Sequence, residues 1–321
     1  MPTEARPPLP QRIAERRSGF LFFGLTPPRS STSPEDAQRI ADLTLERLEP
    51  VQPDGLILYD IDEEADRNTG ARPFPYLPTM DPAEFLTRHL TDWRGTVVVY
   101  RCVGKYPAAD IESWLRAQDV GQVMSVFVGA ASRDSTVTTS LAEAQSLWRA
   151  TRPELVLGGV AIPERHTARG HEHERLIAKQ AAGCSYFVTQ VVYDTHAAKN
   201  LVSDYHYRCR EIDLAPVPII FTLSVCGSVR TLEFLSWLGV DVPRWMASEL
   251  RNAHDTLAES YEICLSTARD LAAFCVRLGV PFGFNVESVS IRKAEIEASV
   301  RLATQLRALL DEQSSGSARE D

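Results

Sequence analysis

Residues 160–194, VAIPERHTARGHEHERLIAKQAAGCSYFVTQVVYD, contain the pattern that decides the fold. An apolar run closes at 160–162 and predicts the end of a buried strand. Pro163 then begins a polar loop that carries Glu164 and His166. The segment therefore opens as a strand followed by a loop with two polar side chains.

The second half of the segment predicts a helix and another strand. Gly183 ends the helix, because glycine is the usual residue past a helix C-terminus. A strand over 186–192 follows, with Gln190 and Tyr193 at its far end. In a barrel of alternating strands and helices, chemistry lies on the loops after strand C-termini. We expect the acid and histidine of the preceding loop to share one mouth with Gln190.

The same alternation runs through the chain. Strands are predicted at 20–25, 55–59, 96–100, 123–128, 155–161, 186–192, 217–223 and 282–286. Helices are predicted from Ser33-Pro34-Glu35 onward, at 82–93, 108–117, 140–150, before Gly183, at 229–238 and at 291–310, with a helical insertion over about 243–278. Eight such units predict an α/β fold, a single-domain (β/α)8 TIM barrel with a helical insertion before the last strand. The alternative is an open doubly wound sheet, which the missing Gly-rich loop after the first strand disfavours.

Composition bounds the class of protein. The 321 residues are 44% hydrophobic and carry a net charge of −9, which argues against nucleic acid or an anionic membrane as partner. No apolar stretch of about 18 residues predicts a membrane span, and the N-terminus lacks a signal-peptide pattern. Six scattered cysteines without a CxxC pair predict reduced thiols and a cytoplasmic location. We expect a flexible arm over 1–18, a barrel catalytic domain over 19–310 and a disordered tail over 311–321; the oligomeric state stays open.

Further candidate site residues follow the other strands. Tyr59 and Asp60 end strand two, at the start of an acidic run that continues through Glu63, Glu64 and Asp66 to Arg67. Most of that run is expected to be solvated. The other candidates are Tyr100 and Arg101 after strand three, Gly129 after strand four and Glu287 after strand eight. Arg101 offers a cation for a phosphate or a carboxylate. The sequence contains no GxSxG, HExxH, P-loop or GxGxxG motif.

The histidines near the opening segment do not predict a metal site. His171 and His173 stand two apart, which points them to different sides of a helix. Glutamates beside them favour a solvated first turn. Gln190, in contrast, interrupts an apolar strand with an amide that can both donate and accept, which suits a heterocycle. The alternative is a satisfied core glutamine.

These residues resemble the methylenetetrahydrofolate reductase family. The segment 160–194 is similar to the family's Tyr-Pro-Glu-x-His, helix, and Thr-Gln-x-x-Phe-Asp pattern. Residues 239–246, GVDVPRWM, are similar to its Gly-Val-x-Val-Pro-x-Trp segment, and FLFFGLTPPR at the first strand to its Phe-Glu-Phe-Phe-Pro-Pro start. The likeness covers most of residues 19–310.

The resemblance implies a barrel that holds FAD at its mouth and takes hydride from NAD(P)H. It implies reduction of 5,10-methylenetetrahydrofolate, the tetrahydrofolate substrate, to 5-methyltetrahydrofolate. Glu164 and His166 then match flavin-contacting positions, and Gln190 matches a folate-contacting one. Glu164, Gln190 and Glu287 become the catalytic candidates, and Gln190 and Tyr193 the substrate-binding ones.

Four strands depart from the family pattern. The first-strand acid falls at Leu21, and the Leu-Arg-Gly-Asp of strand four becomes 127–130, FVGA, without its arginine and its aspartate at Ala130. The histidine of strand three appears as Tyr100, and strand eight carries Asn285 within FNVE. Asp60, Glu287 or Arg101 could substitute for the missing acid and the missing flavin contacts. Two alternatives to the reductase therefore stay open: a flavin-free folate-dependent enzyme that transfers hydride or a one-carbon group, and a non-catalytic folate-binding relative.

Overall fold

A computed structural model describes residues 7–62, 70–129 and 137–317 and contains a closed parallel barrel, β1 to β8 in sequence order. The strands are β1 (Phe20–Leu25), β2 (Gly55–Leu58), β3 (Thr96–Cys102), β4 (Val123–Val128), β5 (Leu157–Ala161), β6 (Tyr186–Val191), β7 (Ile219–Ser224) and β8 (Phe282–Glu287). The barrel closes because β1 pairs in parallel with both β2 and β8. The predicted (β/α)8 fold is confirmed.

Helices surround the barrel. In the described ranges they are α1 (Leu9–Ala14), α2 (Pro34–Leu48), α3 (Pro82–His89), α4 (Ala108–Arg116), α5 (Leu141–Thr151), α6 (Pro163–Arg169), α7 (Glu172–Ala181), α8 (Thr195–Glu211), α9 (Val229–Trp237), α10 (Arg244–Asn252), α11 (Thr256–Leu278) and α12 (Lys293–Ser317). Serine or aspartate side chains accept backbone N–H groups at the starts of several helices, which satisfies donors that the helix itself leaves open. These N-caps are Ser33, Asp81, Ser140, Asp194, Ser228 and Asp255. None of the described helices is long and apolar enough to cross a membrane.

Strand side chains alternate between two hydrophobic layers, as the period of two requires. Phe20 and Phe22 belong to the cluster that fills the barrel, whereas Leu21 and Phe23 belong to the cluster between barrel and helices. The same alternation separates Tyr100, which is inside, from its neighbours along β3. We call the barrel end formed by the strand C-termini the mouth. The alternation along each strand decides which residues at the strand ends face the interior of the mouth.

The opposite end of the barrel is closed by α1. Ile13 is fully buried and packs in the interior cluster with Phe20. Arg12 forms an ion pair with Asp54 at 2.5 Å, and Arg307 of α12 pairs with the second oxygen of the same carboxylate at 2.6 Å. Part of the segment that we expected to be a flexible arm is therefore a packed plug.

Three other expectations differ from the structure. The loop predicted after Pro163 is the helix α6. The helix α8 was not predicted, although its buried positions 197, 198, 201, 202, 205 and 209 recur with helical spacing. The last helix continues to Ser317, past the expected start of a disordered tail at 311. Residues 63–69, with most of the acidic run, lie outside the described residues.

Candidate functional site

A polar cluster lies inside the mouth, where β2, β3 and β8 end. The Tyr59 and Tyr100 rings meet edge to face with centroids 4.9 Å apart. Asn285 donates from Nδ2 to the Tyr59 hydroxyl at 2.9 Å, and both side chains hydrogen bond to the Glu287 carboxyl. The structure thus brings three sequence-predicted residues, Tyr59, Tyr100 and Glu287, into one contact group, together with Asn285.

Glu287 is the acid of this cluster. Burial raises its pKa to about 7, although hydrogen bonds from Tyr59 and Asn285 act in the opposite direction. Burial also raises the pKa of Tyr59, and the nearby Glu287 adds to that shift. A carboxyl that titrates near neutral pH can hold and release a proton there, which is what general acid–base chemistry needs.

Gly24 of β1 makes room for this acid. It is the register partner of Glu287, and a Cβ at Gly24 would lie 3.1 Å from the Cβ of Glu287 and 3.0 Å from the Tyr59 ring. The mouth-facing position of β1 therefore has no side chain, and its neighbours occupy the space. Leu21, the position matched to the first-strand acid of the family, is fully buried between barrel and helices. An acid at this position would not face the mouth, so the match of Leu21 to a mouth residue is wrong.

Asn285 also brings an unused acceptor into the cluster. Its Nδ2 group reaches Tyr59 and, at 3.3 Å, Thr222, but its Oδ1 atom is buried without a hydrogen-bond partner. A buried polar atom without a partner is costly and is explained most simply by a missing ligand or water. Sequence reasoning missed Asn285 as a site residue, although an amide two positions before Glu287 must share its side of the strand.

Glu164 enters the mouth from the first turn of α6. Burial raises its pKa to about 7; backbone N–H groups, including that of Asp241, act against this, and the charges of Asp241 and Asp194 add to it. Its Oε2 atom is buried without a hydrogen-bond partner. Glu164 is therefore a second acid with an open position.

Gln190 meets the same loop as Glu164. Its amide donates to the carbonyl of Leu238 at 3.1 Å. Leu238 and Asp241 belong to the same loop, which follows α9. The loop at 238–241 thus touches the end of β6 through Gln190 and the start of α6 through Glu164. Tyr193 lies elsewhere: it is 1% exposed and donates to the Ser224 carbonyl at 2.8 Å, so the expected contact of Tyr193 with substrate does not fit its place in the core.

Asp60 and Arg101 turn away from the mouth interior. The Asp60 carboxylate accepts from the Cys102 N–H, from Lys105 Nζ at 2.6 Å and from the Tyr106 hydroxyl. Arg101 forms an ion pair with Asp81 at 2.6 Å, and its guanidinium lies over the rings of Tyr106 and Trp114. Both predicted cofactor contacts are used within the protein, because their position along the strand faces the helix layer.

His166 also lies outside the mouth. It is 5% exposed, and its Nε2 atom is 3.0 Å from Asp204 of α8. The prediction that His166 shares the mouth with Glu164 is wrong, because their segment is helical. Residues two apart on a helix are about 200° apart around its axis.

Gly129 directly follows the last residue of β4, Val128. A Cβ there would meet no atom of the described residues within 4 Å. Ala130, the position where the family aspartate is replaced, lies outside the described residues. The candidate site consequently comprises Gly24, Tyr59, Tyr100, Glu164, Gln190, Asn285 and Glu287.

The chain is a (β/α)8 protein whose mouth contains a candidate ligand site of acids, amides and phenols. The model of the methylenetetrahydrofolate reductase family matches residues 131–284. An uncharacterized protein from Clostridium thermocellum, which binds two copies of 5-methyl-5,6,7,8-tetrahydrofolic acid, is 41% identical to this chain. The alignment covers 94% of this chain and 99% of that one with a TM-score of 0.83. The chain belongs to the methylenetetrahydrofolate reductase family, as a divergent member.

Two further comparisons give no information about function. A GH113 β-1,4-mannanase, 10% identical, superposes with a TM-score of 0.52 over 90% of this chain and 98% of its own, and it shares the fold alone. The comparison with curated proteins finds no match.

Proposed function

We propose that this chain binds a reduced folate in the mouth of its barrel and reduces or transfers the one-carbon unit that the folate carries. The Clostridium thermocellum relative binds 5-methyltetrahydrofolic acid and is similar over almost the whole chain. The observation that carries the proposal is the contact group of Tyr59, Asn285 and Glu287, which combines an acid of pKa about 7 with a buried, unpaired acceptor.

This group suits the pteridine half of a folate. A reduced pterin carries several N–H donors around its rings, and the mouth offers acceptors in Asn285 Oδ1 and Glu164 Oε2, both buried without a partner. Gln190 adds an amide that can donate and accept at the edge of the same space. Tyr59 and Tyr100 supply aromatic surface beside these polar atoms.

Glu287 is the proton carrier in this proposal. Reduction of 5,10-methylenetetrahydrofolate adds a hydride to the methylene carbon, breaks its bond to N10 and places a proton on N10. The hydride comes from NAD(P)H, which leaves as NAD(P)⁺. Glu287, protonated for about half of the time near pH 7, gives the proton and regains one from water.

The position of Glu287 supports this role. The resemblance implies an acid on the first strand, but the mouth-facing residue of β1 is Gly24. Glu287 is its partner on the adjoining strand and packs into the space that a β1 side chain would occupy. We infer that the carboxyl has moved by one strand while it still reaches the same part of the mouth.

The described residues do not fit FAD well at strands two and three. A flavin dinucleotide needs cations or backbone N–H groups for its two phosphates. Arg101 is bound to Asp81 and lies under α4, and Lys105 is bound to Asp60. The proposed reaction therefore uses no flavin. This pairing favours the flavin-free enzyme with direct hydride transfer over the FAD-dependent one.

A second candidate is a folate-binding protein without turnover. The Clostridium thermocellum relative binds 5-methyltetrahydrofolic acid, a property that needs no turnover. The mouth would then serve only to hold the folate. The cytoplasm is the compartment that we propose in either case, because none of the six cysteines, all within the described residues, forms a disulfide.

Three measurements on the purified chain separate these functions. Calorimetric titration with 5-methyltetrahydrofolate tests binding, and loss of NADH absorbance on addition of methylenetetrahydrofolate tests reduction. The visible spectrum of the protein as isolated tests for flavin. Binding and NADH oxidation by a colourless protein support the flavin-free enzyme; a yellow protein contradicts the inference about FAD. Binding without turnover favours the second candidate, and absence of folate binding refutes the proposal.

A matched pair of variants tests the site. Glu287→Ala removes both the proton and the hydrogen bonds, and we expect the affinity for 5-methyltetrahydrofolate to fall about 10- to 100-fold, on the order of 1–3 kcal/mol. Glu297→Ala, on the outer face of α12, changes the same residue type without touching the mouth. Equal affinities in the two variants would contradict the assignment.

A further inference from the structure

Three helices on the outside of the barrel bring two histidines and an aspartate together. His166 lies on α6, His173 on α7 and Asp204 on α8. His166 Nε2 is 3.0 Å from Asp204 Oδ2, and the two imidazole rings meet edge to face with centroids 5.3 Å apart. One ligand atom of each residue lies within 4.8 Å of the others. We propose that this cluster binds a divalent transition-metal ion of the Zn²⁺ type.

The donor set matches such an ion. Two imidazoles and one carboxylate are typical ligands of Zn²⁺ and of other first-row metals, with bonds of about 2.0–2.2 Å. Tetrahedral bonds of that length place ligand atoms roughly 3.4 Å apart. The His166 and Asp204 atoms, 3.0 Å apart, are close to that spacing, and bringing the third ligand atom in from at most 4.8 Å requires a movement of up to about 1.4 Å.

The two outer ligands have room for this movement. The Asp204 side chain is 53% exposed and the His173 side chain 16%, whereas His166 is held at 5%. Arg208, which could compete for Asp204, pairs with Glu174 and Glu211. The exposed side of the cluster leaves the fourth coordination position to water.

Hydrogen bonding alone leaves the histidines incompletely satisfied. Without an ion, His166 must carry its proton on Nε2 to bond with Asp204, and its Nδ1 atom is then buried without a partner. The Nδ1 atom of His173 is also buried without a partner. Buried histidine nitrogens normally have a partner, and His173 Nδ1, which has none, can serve as a metal ligand beside the pair of His166 and Asp204.

An ion here would join elements that the chain connects only through short loops. Gly170, in the left-handed conformation, ends α6 before His171 leads into α7. Coordination would fix α6 to α7 and α8, and α6 carries Glu164 in its first turn. The metal proposal itself is independent of what the mouth binds.

The experiment uses the full chain without a polyhistidine tag, stripped with a chelator. Titration with Zn²⁺ by calorimetry should give one ion per chain, and Co²⁺ should produce visible absorption bands of a site with nitrogen ligands. Zn²⁺ should also raise the melting temperature, since an ion that binds only the native state stabilises it. No binding, or weak binding of several ions per chain, would overturn the proposal.

Variants locate the site. We expect His173→Gln and Asp204→Asn each to weaken Zn²⁺ binding at least 10-fold and to remove the rise in melting temperature. His196→Gln, an exposed histidine at the start of α8, is the matched control and should bind like the wild type. Because Asp204→Asn also changes the contact with His166, the readout is the difference between samples with and without Zn²⁺. Unchanged affinity in both cluster variants would contradict the assignment even if the chain binds zinc elsewhere.

Discussion

The two ends of the barrel each contain a largely buried acid, and the pKa values of these two acids are shifted in opposite directions. At the closed end, Asp54 lies between the guanidiniums of Arg12 and Arg307 and accepts the Leu21 N–H at 2.8 Å. Burial alone would raise its pKa, but the two arginines outweigh burial and the pKa of Asp54 is lowered. At the mouth, burial raises the pKa of Glu287 to about 7.

The difference separates structure from function. A carboxylate shared by two arginines is satisfied within the protein and ties α1, the barrel and α12 together. An acid that meets only a phenol and an amide holds a proton near neutral pH and keeps bonding capacity for a ligand. Active sites of (β/α)8 barrels lie at the end where the strands finish, whereas the other end serves stability.

The largest effect that we expect is on turnover at the mouth. Glu287→Gln keeps the size and hydrogen bonding of the protonated acid but cannot transfer a proton. Reduction of methylenetetrahydrofolate should slow about 10²- to 10⁴-fold, the usual range for loss of a general acid. Steady-state kinetics with NADH measures this, with the affinity for 5-methyltetrahydrofolate as control, since that should change far less. Full activity of Glu287→Gln would place the proton donor elsewhere.

The closed end should respond in stability instead. Asp54→Ala leaves Arg12 and Arg307 without their shared carboxylate, and the free energy of unfolding should fall by about 3–5 kcal/mol. Urea unfolding measures this, and Glu112→Ala, which breaks an exposed pair with Arg116, should cost less than about 1 kcal/mol. Folded Asp54→Ala protein should retain its affinity for folate. A loss of affinity with little loss of stability would reverse the roles assigned to the two ends.

Stability should also depend on pH through Glu287. Folding raises the pKa of this acid from 4.5 to about 7, so the native state binds the proton more tightly than the unfolded chain. The stability associated with that proton is present below about pH 4.5 and is lost as the pH rises to about 7. Wild type should therefore lose about 2–3 kcal/mol relative to Glu287→Gln between pH 5 and pH 8. Urea unfolding measures this. The same difference in the free energy of unfolding between wild type and Glu287→Gln at pH 5 and pH 8 would contradict the raised pKa of Glu287.

The smallest effect is expected at the rim. Gln190→Ala removes the hydrogen bond to Leu238 and an amide from the mouth, and folate affinity should fall by about 1 kcal/mol, or roughly fivefold. Calorimetric titration detects a change of this size. Tyr193→Phe, in the core, should affect stability and leave folate affinity unchanged. The opposite result would restore Tyr193 as a substrate contact.

The barrel could be predicted from the sequence because its strands are apolar runs that alternate with helices and turn signals. The site could be predicted only in part. Glu287 and Tyr59 were found because they end strands, but strand parity was not used, and Arg101 was therefore placed on the wrong side. His166 was misplaced because α6 was interpreted as a loop.

Residues that act through space rather than through a motif were missed. Gly24 matters because a side chain there would collide with Glu287, a relation that depends on the register between the first and last strands. The cluster of His166, His173 and Asp204 joins three helices, of which α6 was predicted as a loop and α8 was not predicted. Neither contact could be predicted from the spacing of residues along the chain.

A crystal structure of the chain with 5-methyltetrahydrofolate tests the central claim most directly. We expect the pteridine to lie in the mouth, with the Glu287 carboxyl within about 2.6–3.2 Å of a folate nitrogen. Folate bound instead in the groove at the closed end, beside Arg12 and Arg94, would contradict the account.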